Sequence, residues 1–123
     1  MSPRTILITG CNRGIGLELV KQYLKCSDPP IHLFATCRDP SKAEDLTSLA
    51  KDHPQLHVLT LDVTDHDAFP KIASEVEKTV GEAGLNMVIN NAGVLPPERS
   101  APGGVTAQVI TFSIDFYYIN ANI

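Results

Sequence analysis

With 123 residues, 43% of them hydrophobic, the chain is long enough for one domain with a real core and too short for two ordinary ones. A formal net charge of -4 and the absence of any Lys or Arg run exclude the basic patch that nucleic acid or an anionic membrane surface selects. The three cysteines, Cys11, Cys26 and Cys37, are odd in number and lack C-x-x-C pairing, and His32, His53, His57 and His66 are scattered, so neither a disulfide framework nor a metal site is expected.

The opening Met1-Ser2-Pro3-Arg4 leads into a strand-like run without the charged leader and apolar stretch of a secretory signal, which predicts a cytoplasmic protein. Residues 5–9 form a short, continuous apolar run, as in a strand covered on both faces of a parallel sheet. After the glycine-bearing segment "TGCNRGIG", Leu19, Val20, Tyr23 and Leu24 recur at helical spacing with Glu18, Lys21, Gln22 and Lys25 between them. Ser27-Asp28-Pro29-Pro30 ends that helix. Residues 31–37 read as a second strand. Asp39-Pro40-Ser41-Lys42-Ala43-Glu44 then offers Pro in a first turn and a Ser-x-x-Glu capping box, predicting a short helix as far as Lys51. Residues 56–61 make a third strand. Phe69, Ile72, Ala73, Val76 and Val80 repeat at three and four residues, a helix whose apolar stripe faces a sheet, closed by Gly81 and Gly84. Residues 85–90 give the fourth strand, and Pro96, Pro97, Pro102, Gly103 and Gly104 make residues 94–104 an irregular loop.

Strands alternating with helices over short connections imply right-handed βαβ crossovers. The expected fold is α/β, a Rossmann-like doubly wound parallel sheet, incomplete at about four strands.

A strand that runs into a glycine turn and then a helix aims the unpaired N–H groups of the helix's first turn at one spot, where anions collect. Gly10 permits the sharp exit, Gly14 lets a pyrophosphate approach with no Cβ in the way, and Gly16 lets the helix pack close on the sheet. The spacing is Gly-x-x-x-Gly-x-Gly. A glycine-bearing tight connection with no ligand is the alternative, and the ends of the other three strands count against it. Cys37-Arg38 falls roughly 20 residues beyond the glycines, where a Rossmann fold reads the adenosine ribose. An acid there selects NAD(H), whereas Arg38 offers a planar cation for a 2′-phosphate and Arg13 can reach the same group. The expected preference is NADP(H). Asp39 keeps NAD(H) open as a ribose acceptor, if it is not simply a helix start. At the third strand end, Asp62 can accept from the adenine amino group and Val63 can cover its ring, or Asp62 can cap a turn. The fourth ends in Asn90-Asn91-Ala92-Gly93, amides to tie loops and small residues beside which a flat ring can lie.

Thr9-Gly10-x-x-x-Gly14-x-Gly16, Asp62-Val63 and Asn90-Asn91-Ala92-Gly93, in that order, resemble the short-chain dehydrogenase/reductase family. "TGCNRGIGLELV", "FATCRDP" and "LNMVINNAGVL" are similar to its C-factor-like, sniffer-type carbonyl reductases, over residues 4–100. The resemblance implies that Gly10, Asn12, Arg13, Gly14, Ile15 and Gly16 line the cofactor's phosphates and ribose, with Arg38 on the 2′-phosphate. It implies Asp62 and Val63 at adenine, Asn90, Ala92 and Gly93 bordering the nicotinamide-side ribose, and Thr9 and Asn91 bracing the sheet. Residues 1–95 are then the NADP(H)-binding half-domain and 96–123 a loop with an atypical tail.

The family's chemistry is hydride transfer between nicotinamide and a carbonyl or alcohol, with a Tyr as acid/base, a Lys that lowers its pKa, and a Ser and an Asn. Its Tyr-x-x-x-Lys pair has no counterpart here. Tyr117 is followed four residues on by Ala121 and Tyr118 by Asn122, and no lysine follows Lys78. Asn120 is the one candidate for the family's catalytic Asn. Val109, Ile110, Thr111, Phe112, Ile114, Phe116, Tyr117 and Tyr118 are β-favouring, so a strand-like or disordered tail competes with the family's helix. Two functions follow: an oxidoreductase represented by its cofactor half, which handles a small carbonyl or alcohol only when a catalytic half is supplied, or a non-catalytic module that binds NADP(H) or a partner. The run Leu85, Met87, Val88, Ile89 is expected to be an open edge suited to association with a homologue.

Overall fold

The computed structural model describes residues 4–91. The elements are β1 (Thr5–Ile8), α1 (Gly14–Lys25), β2 (His32–Cys37), α2 (Glu44–Asp52), β3 (Leu56–Thr60), α3 (Phe69–Val80) and β4 (Met87–Ile89). Short 3-10 turns at Pro40–Lys42, His66–Ala68 and Gly81–Ala83 adjoin the second and third helices.

All pairings are parallel and the sheet order is β3-β2-β1-β4. Ile8 lies level with both Ala35 and Ile89, and Cys37 with Thr60, so the four carboxyl ends open onto one rim. The chain lays β1, β2 and β3 in one direction and then crosses back to place β4 on the other side of β1. The point of reversal, where open α/β sheets bind ligands, is therefore the β1–β4 seam.

Strand alternation divides the apolar side chains between two faces. Ile6, Ile8, Leu33, Ala35, Cys37 and Leu56 pack with Leu17 and Val20 of α1 and Leu46 of α2. Leu7, Phe34 and Leu61 pack with Phe69, Ile72, Val76 and Val80 of α3 and with Leu85. Helices on both faces make the fold an α/β, Rossmann-like, doubly wound sheet. The α3 stripe read from spacing is the buried stripe, and Gly81, at φ 57°, terminates the helix as only glycine does readily.

Two local readings need correction. The Ser-x-x-Glu capping box does not form: α2 begins at Glu44 with Ala43 as N-cap and no side-chain cap, while the Ser41 hydroxyl turns back to Asp39. The fourth strand begins at Met87, not at residue 85. Leu85 dips into the α3-face core, and the Asn86 N–H donates to Thr5 Oγ1 at 2.8 Å. The cysteines are free, with Cys11 and Cys37 buried and Cys26 exposed. His32 and His57, 25 residues apart, meet across β2 and β3 with Nδ1 and Nε2 3.0 Å apart. Among the described residues no group of three or more His, Cys, Asp or Glu could hold a metal ion. No described helix is long and apolar enough to cross a membrane.

Candidate functional site

The β1–β4 seam is tied at both ends by an asparagine. At the amino end, Asn86 Oδ1 accepts from the Arg4 and Thr5 N–H groups at 2.9 and 3.1 Å. At the carboxyl end, Asn91 donates its backbone N–H to Thr9 Oγ1 (3.0 Å) and its side-chain amide to the Thr9 and Gly10 carbonyls (3.2 and 3.1 Å). Asn91 thus fixes the exit of β1 against the exit of β4, the bracing role expected of it and of Thr9.

That brace presses on α1. A Cβ on Gly16 would collide with the Gly10 carbonyl oxygen and come within 2.7 Å of Asn91 Nδ2, so glycine is the residue the helix–sheet approach allows. Gly10 and Gly14 have φ of 68° and 61°, the left-handed region in which a side chain is strained. Gly14 differs from Gly16 in what it faces: a Cβ there would meet nothing within 4 Å. The first-turn amides of α1 follow Arg13, which is extended and gives no side-chain cap. An open space in front of uncapped amides fits a pyrophosphate. Asn12, Arg13 and Gly14 are exposed beside it, and Ile15, an isoleucine 72% exposed, projects from the same turn. Beneath them Cys11 is sealed in the core, its thiol donating to the Ile8 carbonyl, and burial pushes its pKa up to about 12.

The exits of β2 and β3 repeat one device. Asp39 Oδ1 accepts from the Ser41 N–H (3.1 Å) and hydroxyl (2.5 Å). Asp62 Oδ1 accepts from the Thr64 N–H (2.9 Å) and hydroxyl (2.6 Å). Each is an Asx-type turn in which the following hydroxyl residue also binds the carboxylate. The Ser41 hydroxyl first, and then its N–H and Lys42, hold the Asp39 carboxyl below the usual range. For Asp62 the Thr64 hydroxyl and N–H do so, with Arg38 adding a nearby positive charge. Arg38, exposed at the end of β2, therefore stands close to Asp62.

Gly10, Asn12, Arg13, Gly14, Ile15, Gly16, Arg38, Asp62, Val63 and Asn90 all belong to segments that leave the carboxyl ends of the strands on this rim. Ala92, Gly93 and Asn120 lie outside the described residues. Asn86, Ser41 and Thr64 had no part in the sequence-based site. An Asp-x-Ser or Asp-x-Thr directly after a strand is the signal that could have found the last two.

The sequence matches the short chain dehydrogenase family over residues 4–113. A short chain dehydrogenase of Penicillium aethiopicum is 40% identical over 99 residues, 80% of this chain and 38% of that protein. The carbonyl reductase Sniffer of D. melanogaster superposes with a TM-score of 0.83 at 35% identity, over 98% of this chain and 52% of its own. The NADPH-bound carbonyl reductase from chicken fatty liver gives 0.84 at 34% identity, over 98% and 51%. The chain thus spans well under half of that curated relative and about half of each solved structure. A doubly wound sheet with its glycine turn at the switch point, matched over nearly its whole length, makes this chain a member of the short-chain dehydrogenase family.

Proposed function

We propose that the chain is the NADP(H)-binding part of a short-chain oxidoreductase that acts on a carbonyl or alcohol. The observation that carries the reading is Gly14, left-handed and facing open space, ahead of uncapped amides at the seam where strand order reverses. Residues 1–95 are assigned to the cofactor-binding unit; residues 96–123 lie outside the described residues. When bound, the nicotinamide supplies hydride exchange with the carbonyl or alcohol. The α1 amides, Gly10, Asn12, Arg13, Ile15 and Gly16 hold the phosphates and ribose. Arg38 takes the 2′-phosphate as a charge-assisted partner. Asp62 binds adenine through Oδ2, since Thr64 occupies Oδ1, and Val63 covers the ring. Asn90, Ala92 and Gly93 border the nicotinamide-side ribose.

Three features support NADP(H) over NAD(H): the cation at the end of β2, the engagement of Asp39 by Ser41, and the NADPH held by the chicken neighbour. Cytosolic residence suits the free thiols. A second reading is a non-catalytic NADP(H)-binding module that associates with a homologue along β4, the edge of the described sheet.

Fluorescence titration of the full chain with NADPH and NADH tests the assignment. Arg38→Ala is expected to weaken NADPH about 10- to 100-fold and leave NADH unchanged. Equal loss for both dinucleotides removes Arg38 from the 2′-phosphate, and no affinity for either removes the cofactor reading. NADPH oxidation driven by a carbonyl compound, measured beside the titration, separates enzyme from module.

A further inference from the structure

Asp39 sits two residues beyond the last residue of β2, beside Arg38. A free carboxylate in this region accepts from a ribose 2′-hydroxyl and repels a 2′-phosphate. Here one of its oxygens is engaged by its own turn and the carboxylate is held in place. Pro40 leads a 3-10 turn in which Lys42 N–H returns to the Asp39 carbonyl (3.1 Å) and Ala43 N–H to that of Pro40 (3.1 Å). Inside that turn the Ser41 N–H and hydroxyl both donate to Asp39 Oδ1, the hydroxyl at 2.5 Å. The carboxylate is folded back on its own backbone. The second acid near Arg38, Asp62, is held the same way by Thr64.

We propose that Ser41 is a positioning residue for cofactor specificity: its hydroxyl latches Asp39 Oδ1 into the Pro40–Lys42 turn, so that the carboxylate does not swing onto the ribose and Arg38 is the group presented to a phosphorylated one. The inference rests on the proposed NADP(H) site and adds to it the group that keeps the neighbouring acid from reversing its preference. Ser41 and Asp39 are both exposed, so the latch can be removed without opening the core.

The test compares dissociation constants for NADPH and NADH in the full chain. Ser41→Ala is expected to weaken NADPH and tighten NADH, lowering the NADPH preference about tenfold. Ser41→Thr, which keeps the hydroxyl, is expected to hold the wild-type ratio. Asp39→Asn is expected to leave the ratio nearly unchanged alone and to restore it in the Ser41→Ala background, because a released amide carries no charge. Equal weakening of both cofactors by Ser41→Ala would show a purely structural turn and overturn the proposal, as would a large rise in NADPH preference from Asp39→Asn alone. Arg38→Ala keeps the two levels apart. If it abolishes the preference while Ser41→Ala leaves the ratio unmoved, the site stands and the latch falls; if it changes nothing, the site itself falls.

Discussion

Asn91 and His57 stand on opposite flanks of the same sheet and are held in different ways. On the β1–β4 flank, Asn91 reaches Thr9 and Gly10 with backbone and side chain alike, and Gly16 is wedged beneath it with no room for a methyl group. On the β2–β3 flank, His57 stacks on Phe34 with ring centroids 5.0 Å apart and touches His32. Just along β2 the buried Thr36 hydroxyl has no hydrogen-bond partner. One flank is interlocked by hydrogen bonds of Asn86 and Asn91 with Thr5, Thr9 and Gly10; the other carries an unpaired buried hydroxyl and a histidine pair that the fold tolerates. Substitutions should therefore be severe at the seam and mild, even favourable, away from it.

The sharpest break of that contrast is Gly16→Ala. The added carbon would overlap a backbone carbonyl, and neither the strand exit nor the helix can yield without disturbing Asn91. A loss of about 3 kcal/mol or more is expected, enough to erode the cooperative transition of a domain this size. Gly14→Ala is the control. Its Cβ meets nothing, so only the left-handed backbone is penalised, at about 1 kcal/mol. Thermal unfolding followed by circular dichroism measures both, and comparable losses would refute the packing account of Gly16.

What the sequence revealed follows the range of the interactions. The α3 stripe and the glycine turn are patterns within a dozen residues, and both are where spacing puts them. The capping box at Ser41 is also local, yet it does not form. A carboxylate two residues upstream is a stronger acceptor for the Ser41 N–H and hydroxyl, and the chain breaks at Ala43 before α2 starts. The His32–His57 meeting depends on the register of β2 against β3. The clasp of Asn86 on Thr5 depends on β4 crossing to the far side of β1. Neither relation is written in the spacing of residues. The rim assignment needed that crossing too, and the resemblance supplied it for Thr9 and Asn91 where periodicity could not.

A smaller effect, of opposite sign, is expected on the other flank. Thr36 is fully buried, and its hydroxyl is desolvated without compensation. Valine has nearly the same shape and leaves no polar atom to satisfy. Thr36→Val should therefore stabilise the fold by about 1 kcal/mol, raising the melting temperature by a few degrees. A decrease would mean that the hydroxyl has a partner in solution and that the two flanks are alike in satisfying their polar groups.

The mildest way to separate the flanks is pH. Burial, and then the neighbouring His32, lower the pKa of His57 below its ordinary 6.5, so folding favours the neutral ring. The unfolded chain takes up that proton first as the pH falls. The associated stability is complete above about pH 7 and drains away as the pH drops through the ordinary value toward the folded one. Asp39 and Asp62 are depressed instead, so their contribution is complete above the ordinary carboxylate range and fades only as the pH falls through and below it. The His57 window opens at higher pH than that of the two aspartates. Because His57 is only half-buried, its share should move the melting point by only about 1–3 °C between pH 7 and 5.5. His57→Phe keeps an aromatic ring against Phe34 and removes the titration, so it should flatten this interval and leave the acid limb below pH 4 intact. An unchanged slope from pH 7 to 5.5 in that variant would assign the midrange loss to other groups and leave the His32–His57 contact without a thermodynamic role.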